Sequence, residues 1–411
     1  MTSKLVTQHP EPPDTPMDTP ELLAVAADWS AWDKPPRPSV QRRAQLPAAL
    51  RPELALVVQG VRRCGKSTLL TQMIGRYQLD RRHCLFLNFE DPRLAGILDH
   101  TTLQQLVAGF EARIGAEPAT FFFDEIQRVD GWQRWLRMQL DLPRGHRFVV
   151  TGSNAHMLSG ELASQLTGRH LRVELQPFDF DEFRALRPGA SIDDYLTLGG
   201  FPAAVQADEG EQLLRTYFDD IVERDVRERV GARSSRSLRQ LVQMLFESAG
   251  AELSVRRISA ALDLSTDTTS LYLDAVANAY LAFPCSFFAW STRKQSLRNK
   301  KWYPIDNGLR RATIVRTGED RGKQLECATF QLFRRRYRDV CYWRGSGEVD
   351  FVVEHAGKPV PVQVSLDGPL ERHHRALDEF YAEHPQAAEA VFVDLQLYAD
   401  GIPMLPGQLQ A

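Results

Sequence analysis

The residues best suited to chemistry lie within Leu54–Leu70, LALVVQGVRRCGKSTLL. An apolar run, Leu54–Val58, leads into a loop bounded by glycines. Beyond it, Leu69, Leu70, Met73, Ile74 and Tyr77 recur at helical spacing. Gly60, Gly65, Lys66 and Ser67 fit the pattern G-x-x-x-x-G-K-[ST], in the strand-before, helix-after context that gives it meaning. The segment containing Gly60, Arg63, Cys64, Gly65, Lys66, Ser67 and Thr68 is therefore expected to cradle phosphates. Its N–H groups turn inward, and the helix N-terminus adds roughly half a positive charge. Lys66 would reach the β and γ phosphates of ATP, and the Ser67 hydroxyl would ligate Mg²⁺.

A second chemical group follows at Thr120–Glu125, TFFFDE. Three phenylalanines running into two carboxylates have the form of a buried strand that delivers acids to its C-terminal edge, where ligands sit in open α/β sheets. Asp124 would hold Mg²⁺ through water, and Glu125 would act as general base on the attacking water. Two buried acids side by side repel one another, and a bound magnesium ion removes that cost. Arg147–Asn154, RFVVTGSN, is a further strand ending in Ser153 and Asn154, which could sense the γ-phosphate or orient the water; both are also ordinary turn residues. Arg169 follows a glycine turn and could reach a neighbouring subunit's nucleotide as an arginine finger, or be a surface arginine.

The elements that must position these groups alternate strand and helix. Strands are expected at Cys84–Phe89 and within Leu166–Gln176, with a helix around Leu103–Ile114 between the first of these and the acid-bearing strand. The order of GVRRCGKSTLL, LNFEDPRL, DEIQRVDGW, TGSNAHML, the TGR turn at Thr167–Arg169, LGGFPAAV at Leu198–Val205 and RDVRERV at Arg224–Val230 resembles the AAA+ ATPases of bacteria and archaea. Within them it is similar to the clade whose second half carries a domain of uncharacterised function. That resemblance covers about Leu54 to Asp367. It implies an AAA+ fold, a subunit contact at Arg169 and a homo-oligomer, with a ring among its forms; the residues themselves show no oligomeric state.

The remainder of the chain reads as appended modules. Asp193–Ala249 is helical, and Arg224 and Asp225 on it are either a nucleotide sensor or a solvent-facing pair. Ser254–Phe283 reads as helix, three-residue turn, helix; the strand Phe283–Trp290 and the basic stretch Ser291–Lys301 would then form the wing of a winged helix. The second helix carries two aspartates and no basic residue, which argues against base reading by it. Arg293, Lys294, Arg298, Lys300 and Lys301 could still contact DNA phosphates. The last part, helix then three strands, helix and strand, resembles the restriction-endonuclease-like fold. That likeness places Asp350 at the acid position, Gln363 at the second and Glu326 on the helix as an extra ligand. The lysine position is Ser365, and Lys358 is only a distant candidate for the missing cation, so a degenerate nuclease-like site is expected.

Together these readings give an α/β protein: an AAA+ phosphate-loop parallel sheet with helices on both faces, a helical lid, a winged helix and a nuclease-like α/β domain. The boundaries are a disordered Pro-rich arm at 1–50, the ATPase core at 51–190, the lid at 191–249, the winged helix at 250–315 and the nuclease-like domain at 316–411. The arm holds nine of the 24 prolines and one apolar patch, Leu22–Trp32, suited to docking or to a protein partner. No run approaches the roughly 18 apolar residues of a membrane span, and no secretory signal is visible, so the expected compartment is the cytoplasm. Five cysteines without C-x-x-C spacing make disulfides and zinc unexpected. The function expected is Mg²⁺-dependent ATP hydrolysis used to remodel or move along DNA, branched DNA included. The alternatives are a metal-dependent DNA nuclease switched by an ATPase, and a protein-remodelling or signalling ATPase.

Overall fold

The computed structural model describes residues 17–30, 38–94, 96, 98–115, 117–158, 166–232, 235–315 and 320–402. These form two compact units, Met1–Gln59 with Lys66–Glu174, and Gly60–Gly65 with Leu175–Ala411.

The first unit is built on five parallel strands: β1 (Ala55–Gln59), β2 (Cys84–Asn88), β3 (Thr120–Asp124), β4 (Arg147–Gly152) and β5 (His170–Glu174), in the order β2-β3-β4-β1-β5. Strands covered on both faces need apolar side chains at almost every position, which is why LFL, FFF and FVV read as continuous runs. Phe121 stacks on Phe148 at 5.3 Å between ring centres, and Phe110 and Trp135 meet that pair edge-on from the helices α3 (His100–Ile114) and α4 (Trp132–Asp141). The register pairs Asn88 with Asp124, Phe123 with Val150 and Gln59 with Gly152. Polar strand ends therefore meet along one edge, where α2 (Lys66–Arg76) also begins.

The reading of 1–50 as a disordered arm does not hold over Thr19–Ser30, which form a helix, α1. Its apolar face, Leu22, Val25 and Ala26, is buried in the core of the unit, and the Ser30 hydroxyl both donates to Phe86 O (3.2 Å) and accepts from Phe86 N (2.9 Å). That bond satisfies backbone on the outer strand β2, and burial of the helix outweighs the ordering cost that its Pro-rich flanks suggested. Residues 1–16 and 31–37 of the arm, and with them the end of the apolar patch, lie outside the described residues.

The second unit takes up the chain at Leu175, ahead of the boundary expected at 190. Residues 175–190 belong here: Phe178 N donates to Gly200 O (2.7 Å), and Arg335 is held by Gln176, the Pro177 carbonyl and Asp179. Gly199 and Gly200, the pair in LGGFPAAV, are required at this junction. Gly199 has φ +74°, and a Cβ on Gly200 would sit 2.2 Å from Phe178 O. Beyond them come β6 (Glu252–Leu253), the helices Val255–Leu262 and Thr266–Asn278, β7 (Ala282–Phe287), β8 (Lys300–Pro304), the helix Arg321–Arg334, β9 (Val340–Arg344), β10 (Glu348–His355), β11 (Lys358–Val364), the helix Glu371–Glu383 and β12 (Val391–Val393). The helix-turn-helix and the three-stranded core of the last part are thus present. Their strands are joined: all seven form one sheet, β12-β11-β10-β9-β7-β8-β6. The joint is β7 against β9, parallel, with Ser286 opposite Cys341 and Phe287 opposite Tyr342. Pairing the free edge of one hairpin with the free edge of the next satisfies both rows of backbone groups, a gain invisible to segment-by-segment reading.

Leu22→Ala should lower the unfolding free energy of the first unit by about 3 kcal/mol, the usual cost of emptying a buried leucine site. Urea denaturation of the variant checks it; an unchanged midpoint would mean that α1 contributes nothing to the core.

Candidate functional site

Asp124, at the end of β3, is 1 % exposed and is hydrogen-bonded from three elements. Ser67 Oγ at the start of α2 donates to Oδ2 (2.5 Å), Asn88 Nδ2 at the end of β2 donates to the same oxygen (3.1 Å), and Thr151 Oγ1 on β4 donates to Oδ1 (2.5 Å). Burial, then the neighbouring Glu125 carboxylate, raises the Asp124 carboxyl above its ordinary value, while the Ser67 and Thr151 bonds and Lys66 oppose the rise.

Glu125 is 6 % exposed and occupies the left-handed region, φ 55° and ψ 44°, unusual for a residue with a side chain. Its N–H is held by Thr151 Oγ1 (3.0 Å), so one threonine fixes both acids. Glu125 Oε1 lies 3.5 Å from Lys66 Nζ, with both side chains buried, and Gln127 Nε2 donates to Oε2 (2.5 Å). Ser153 and Asn154 are buried immediately after β4, and Gln59 Nε2 donates to Asn154 O (3.2 Å). Lys66, Ser67, Asp124 and Glu125 are therefore brought together as the sequence suggests, with Ser153 and Asn154 on the same sheet edge.

Arg169 is not part of this group. It precedes β5, and its carbonyl accepts from Ala55 N at the opening of β1, so it lies at the opposite edge of a parallel sheet. Its guanidinium pairs with Asp141 at 2.7 Å.

The loop Gly60–Gly65 joins β1 to α2, and its contacts are with the second unit. Gly60 (φ +157°) passes so close to Leu175 O that a Cβ would be 2.0 Å away, and Gly65 has φ +100°. Arg63 is exposed in the left-handed region (φ 71°), Cys64 Sγ donates to Leu175 O (3.3 Å), and Thr68 is half-buried in the first turn of α2. Arg62 pairs with Asp225, Nε to Oδ2 at 3.0 Å, both side chains nearly buried. Asp225 is thus neither solvent-facing nor alone.

The nuclease-like cluster holds a surprise. Glu326 accepts from Tyr303 Oη (2.6 Å), Asp350 accepts from Val364 N (2.8 Å), and Gln363 donates to Glu348 O (2.8 Å). The Ser365 backbone N–H donates to Val393 O (3.0 Å), and Lys358 is exposed at the start of β11, opposite His355. The cation comes from elsewhere. Lys301 on β8, a residue of the basic stretch, is fully buried with Nζ 2.5 Å from Glu348 Oε1 and 4.0 Å from Glu326 Oε1. Burial alone would lower its pKa, but Glu326 and Glu348 raise it above the ordinary lysine value. Asp350 is pushed up to about 7 by burial and the Glu326 carboxylate. Among the described residues no three acids, histidines or cysteines are arranged to hold a metal ion.

Sequence reasoning missed Thr151, Asn88, Gln127, Arg62 and Lys301. Asn88 and Thr151 had a signal, since both end apolar runs as Asp124 does. Arg62 and Lys301 had none, because their partners are 163 and 47 residues away.

A phosphate loop, a parallel sheet with an acid pair at its carboxyl edge and a lysine facing that pair define a P-loop protein. Residues 52–184 match the family described as AAA domain, and residues 189–320 match a domain of unknown function (DUF8612). The chain belongs to the family of an uncharacterized protein of Haemophilus influenzae, with which it is 33 % identical over 336 residues, 77 % of this chain and 84 % of that one. It is also similar to uncharacterized protein MJ1544 of Methanocaldococcus jannaschii, 29 % identical over 74 % of this chain and 73 % of the relative. Uncharacterized protein Rv2008c of Mycobacterium tuberculosis is 26 % identical over 79 % and 74 %. No helix among the described residues is long and apolar enough to cross a membrane.

Lys301→Met should destabilise the second unit by about 3–5 kcal/mol, because it leaves buried carboxylates without their cation; thermal and urea melts measure it. Asp350, near 3.9 when unfolded and about 7 when folded, favours folding fully below about pH 4, a contribution lost as pH rises through 7. Asp306, held at about 6 by burial, acts in the same direction. Stability should therefore be lower at pH 8 than at pH 5, and Asp350→Asn should flatten that slope; a native profile that rises with pH overturns the assignment.

Proposed function

We propose that this protein binds Mg²⁺-ATP and hydrolyses it to do work on DNA. The observation that carries the nucleotide reading is the convergence of Ser67, Asp124, Glu125 and Lys66 at one sheet edge. Hard oxygen donors, the Ser67 hydroxyl 2.5 Å from the Asp124 carboxylate, suit Mg²⁺, which takes its remaining ligands from phosphates and water. When bound, the ion would neutralise charge on the phosphates. Lys66, which faces Glu125 here, would turn to the β and γ phosphates. That leaves Glu125, steadied by Gln127, to accept a proton from the attacking water at its carboxylate. Ser153 and Asn154 would line the γ-phosphate side. Arg169, at the far edge of its own sheet, could serve only a neighbouring subunit's nucleotide, as in a homo-oligomeric ring.

DNA as the load is supported by the segment Phe288–Lys301, FAWSTRKQSLRNKK, which has no acidic residue. Arg293, Lys294, Arg298 and Lys300 have no carboxylate partner among the described residues, and Trp290 stands 59 % exposed beside them. Cations without a carboxylate partner around an exposed ring suit phosphates and unstacked bases, and the Arg298 guanidinium already lies 4.8 Å over the Phe287 ring. The second reading, a metal-dependent nuclease, gains from Lys301, the cation that the Ser365 position lacks, but that lysine is already paired with Glu348. Nicking of DNA with Mg²⁺ or Mn²⁺, lost in Asp350→Ala, would favour it.

Lys66→Ala should abolish nucleotide binding. Glu125→Gln should bind ATP and turn it over slower by a factor of about 10² or more; hydrolysis at the native rate in Glu125→Gln would remove the assigned base. ATP turnover at fixed salt should differ among no DNA, single-stranded, linear duplex and four-way-junction DNA. Equal rates in all four would count against a DNA motor and leave a protein-remodelling ATPase as the better reading.

A further inference from the structure

Three successive side chains of the phosphate loop are anchored in the second unit. Arg62 holds Asp225 through Nε to Oδ2 at 3.0 Å and Nη2 to Oδ1 at 3.5 Å. The Arg63 guanidinium lies 5.6 Å over the ring of Tyr217, on the helix Gly210–Asp220. Cys64 Sγ donates to Leu175 O. That helix runs directly into Ile221–Arg227, seven residues in π-helical conformation, and Asp225 is one of them. A π turn holds one residue more than the α-helix around it, is rare, and tends to occur where function needs it. Here the widened turn is the element that bears the carboxylate bound to the phosphate loop.

We propose that the Arg62–Asp225 ion pair is the contact through which this helix registers nucleotide in the loop: a polyphosphate competes with Asp225 for the Arg62 guanidinium, and the helix turn changes when the pair parts. The inference rests on the ATP-binding reading above. Arg62 is then a positioning residue, tied to the helix in one state and to phosphate in the other. The exchange is chemically balanced. A guanidinium forms charge-assisted bidentate bonds with phosphate as readily as with carboxylate, and a triphosphate carries more charge than Asp225. Asp225 is not left bare, because Arg229, four residues on, is close enough for the two charges to interact. Val222 and Val226, fully buried on the same segment, would carry a change of turn into the packed interior of the unit.

Hydrogen exchange of the full chain, followed by mass spectrometry with and without saturating Mg²⁺ and a non-hydrolysable ATP analogue, tests the proposal. Binding is titrated in parallel. In the native protein, analogue should change exchange across Ile221–Arg227 by several-fold. In Asp225→Asn that stretch should exchange at the analogue-bound rate from the start, and analogue should bind about tenfold tighter because its competitor is gone. Asp225→Glu, which keeps the charge, should restore the native response and guards against a folding defect in the asparagine variant. Analogue binding without any change in the 221–227 stretch overturns the coupling, as does an unaltered response in Asp225→Asn. No analogue binding by the native chain instead overturns the nucleotide reading on which the coupling stands.

Discussion

A carboxylate removed from water must find donors or cations, and that requirement organises the first unit. Asp124 is nearly inaccessible, so its two oxygens draw Ser67 from α2, Asn88 from β2 and Thr151 from β4. Three elements that share no local sequence are thereby held in one register. Thr151 also holds the Glu125 amide, and it keeps the second acid in a left-handed turn that a lone strand end would not adopt. The phenylalanine stack beneath supplies the rigid floor; the polar edge sets where each side chain points.

The second unit answers the same requirement differently. Glu348 and Glu326 are met by a buried ammonium, Lys301, and Asp225 by a guanidinium from the phosphate loop. Among the described residues Asp306 has neither: burial holds its carboxyl up to about 6, against the pull of the Gly200 and Leu309 amides from which it accepts. Ion pairs buried at such depth add little net stability over apolar packing, yet they are costly to break. They act mainly to specify which segments meet.

What could be read from the sequence follows from the range of the forces involved. The phosphate loop, the strand runs and the acid pair were legible because apolar periodicity and the G-x-x-x-x-G-K-S spacing are local. The helix-turn-helix was legible for the same reason, and the strand expected at Phe283–Trp290 is β7, Ala282–Phe287, whereas β6 and β8 were not anticipated. The joining of β7 to β9 was not, since hydrogen bonding between two strand edges leaves no trace in either segment's pattern. Lys301 was read as part of a solvated basic run because four of its neighbours are cationic. Only the pleat of β8, which turns Lys301 inward while Lys300 faces out, separates it from them. The arm was misjudged over α1, where three buried side chains outweigh proline-rich flanks.

The continuity of the seven-stranded sheet has a consequence for how this architecture can be divided. Trimming the chain near residue 316 would strip β9 of its neighbour and lay open a row of amides flanked by Tyr342 and Trp343. Bare apolar edges of that kind recruit other chains, so a truncated C-terminal fragment would tend to aggregate.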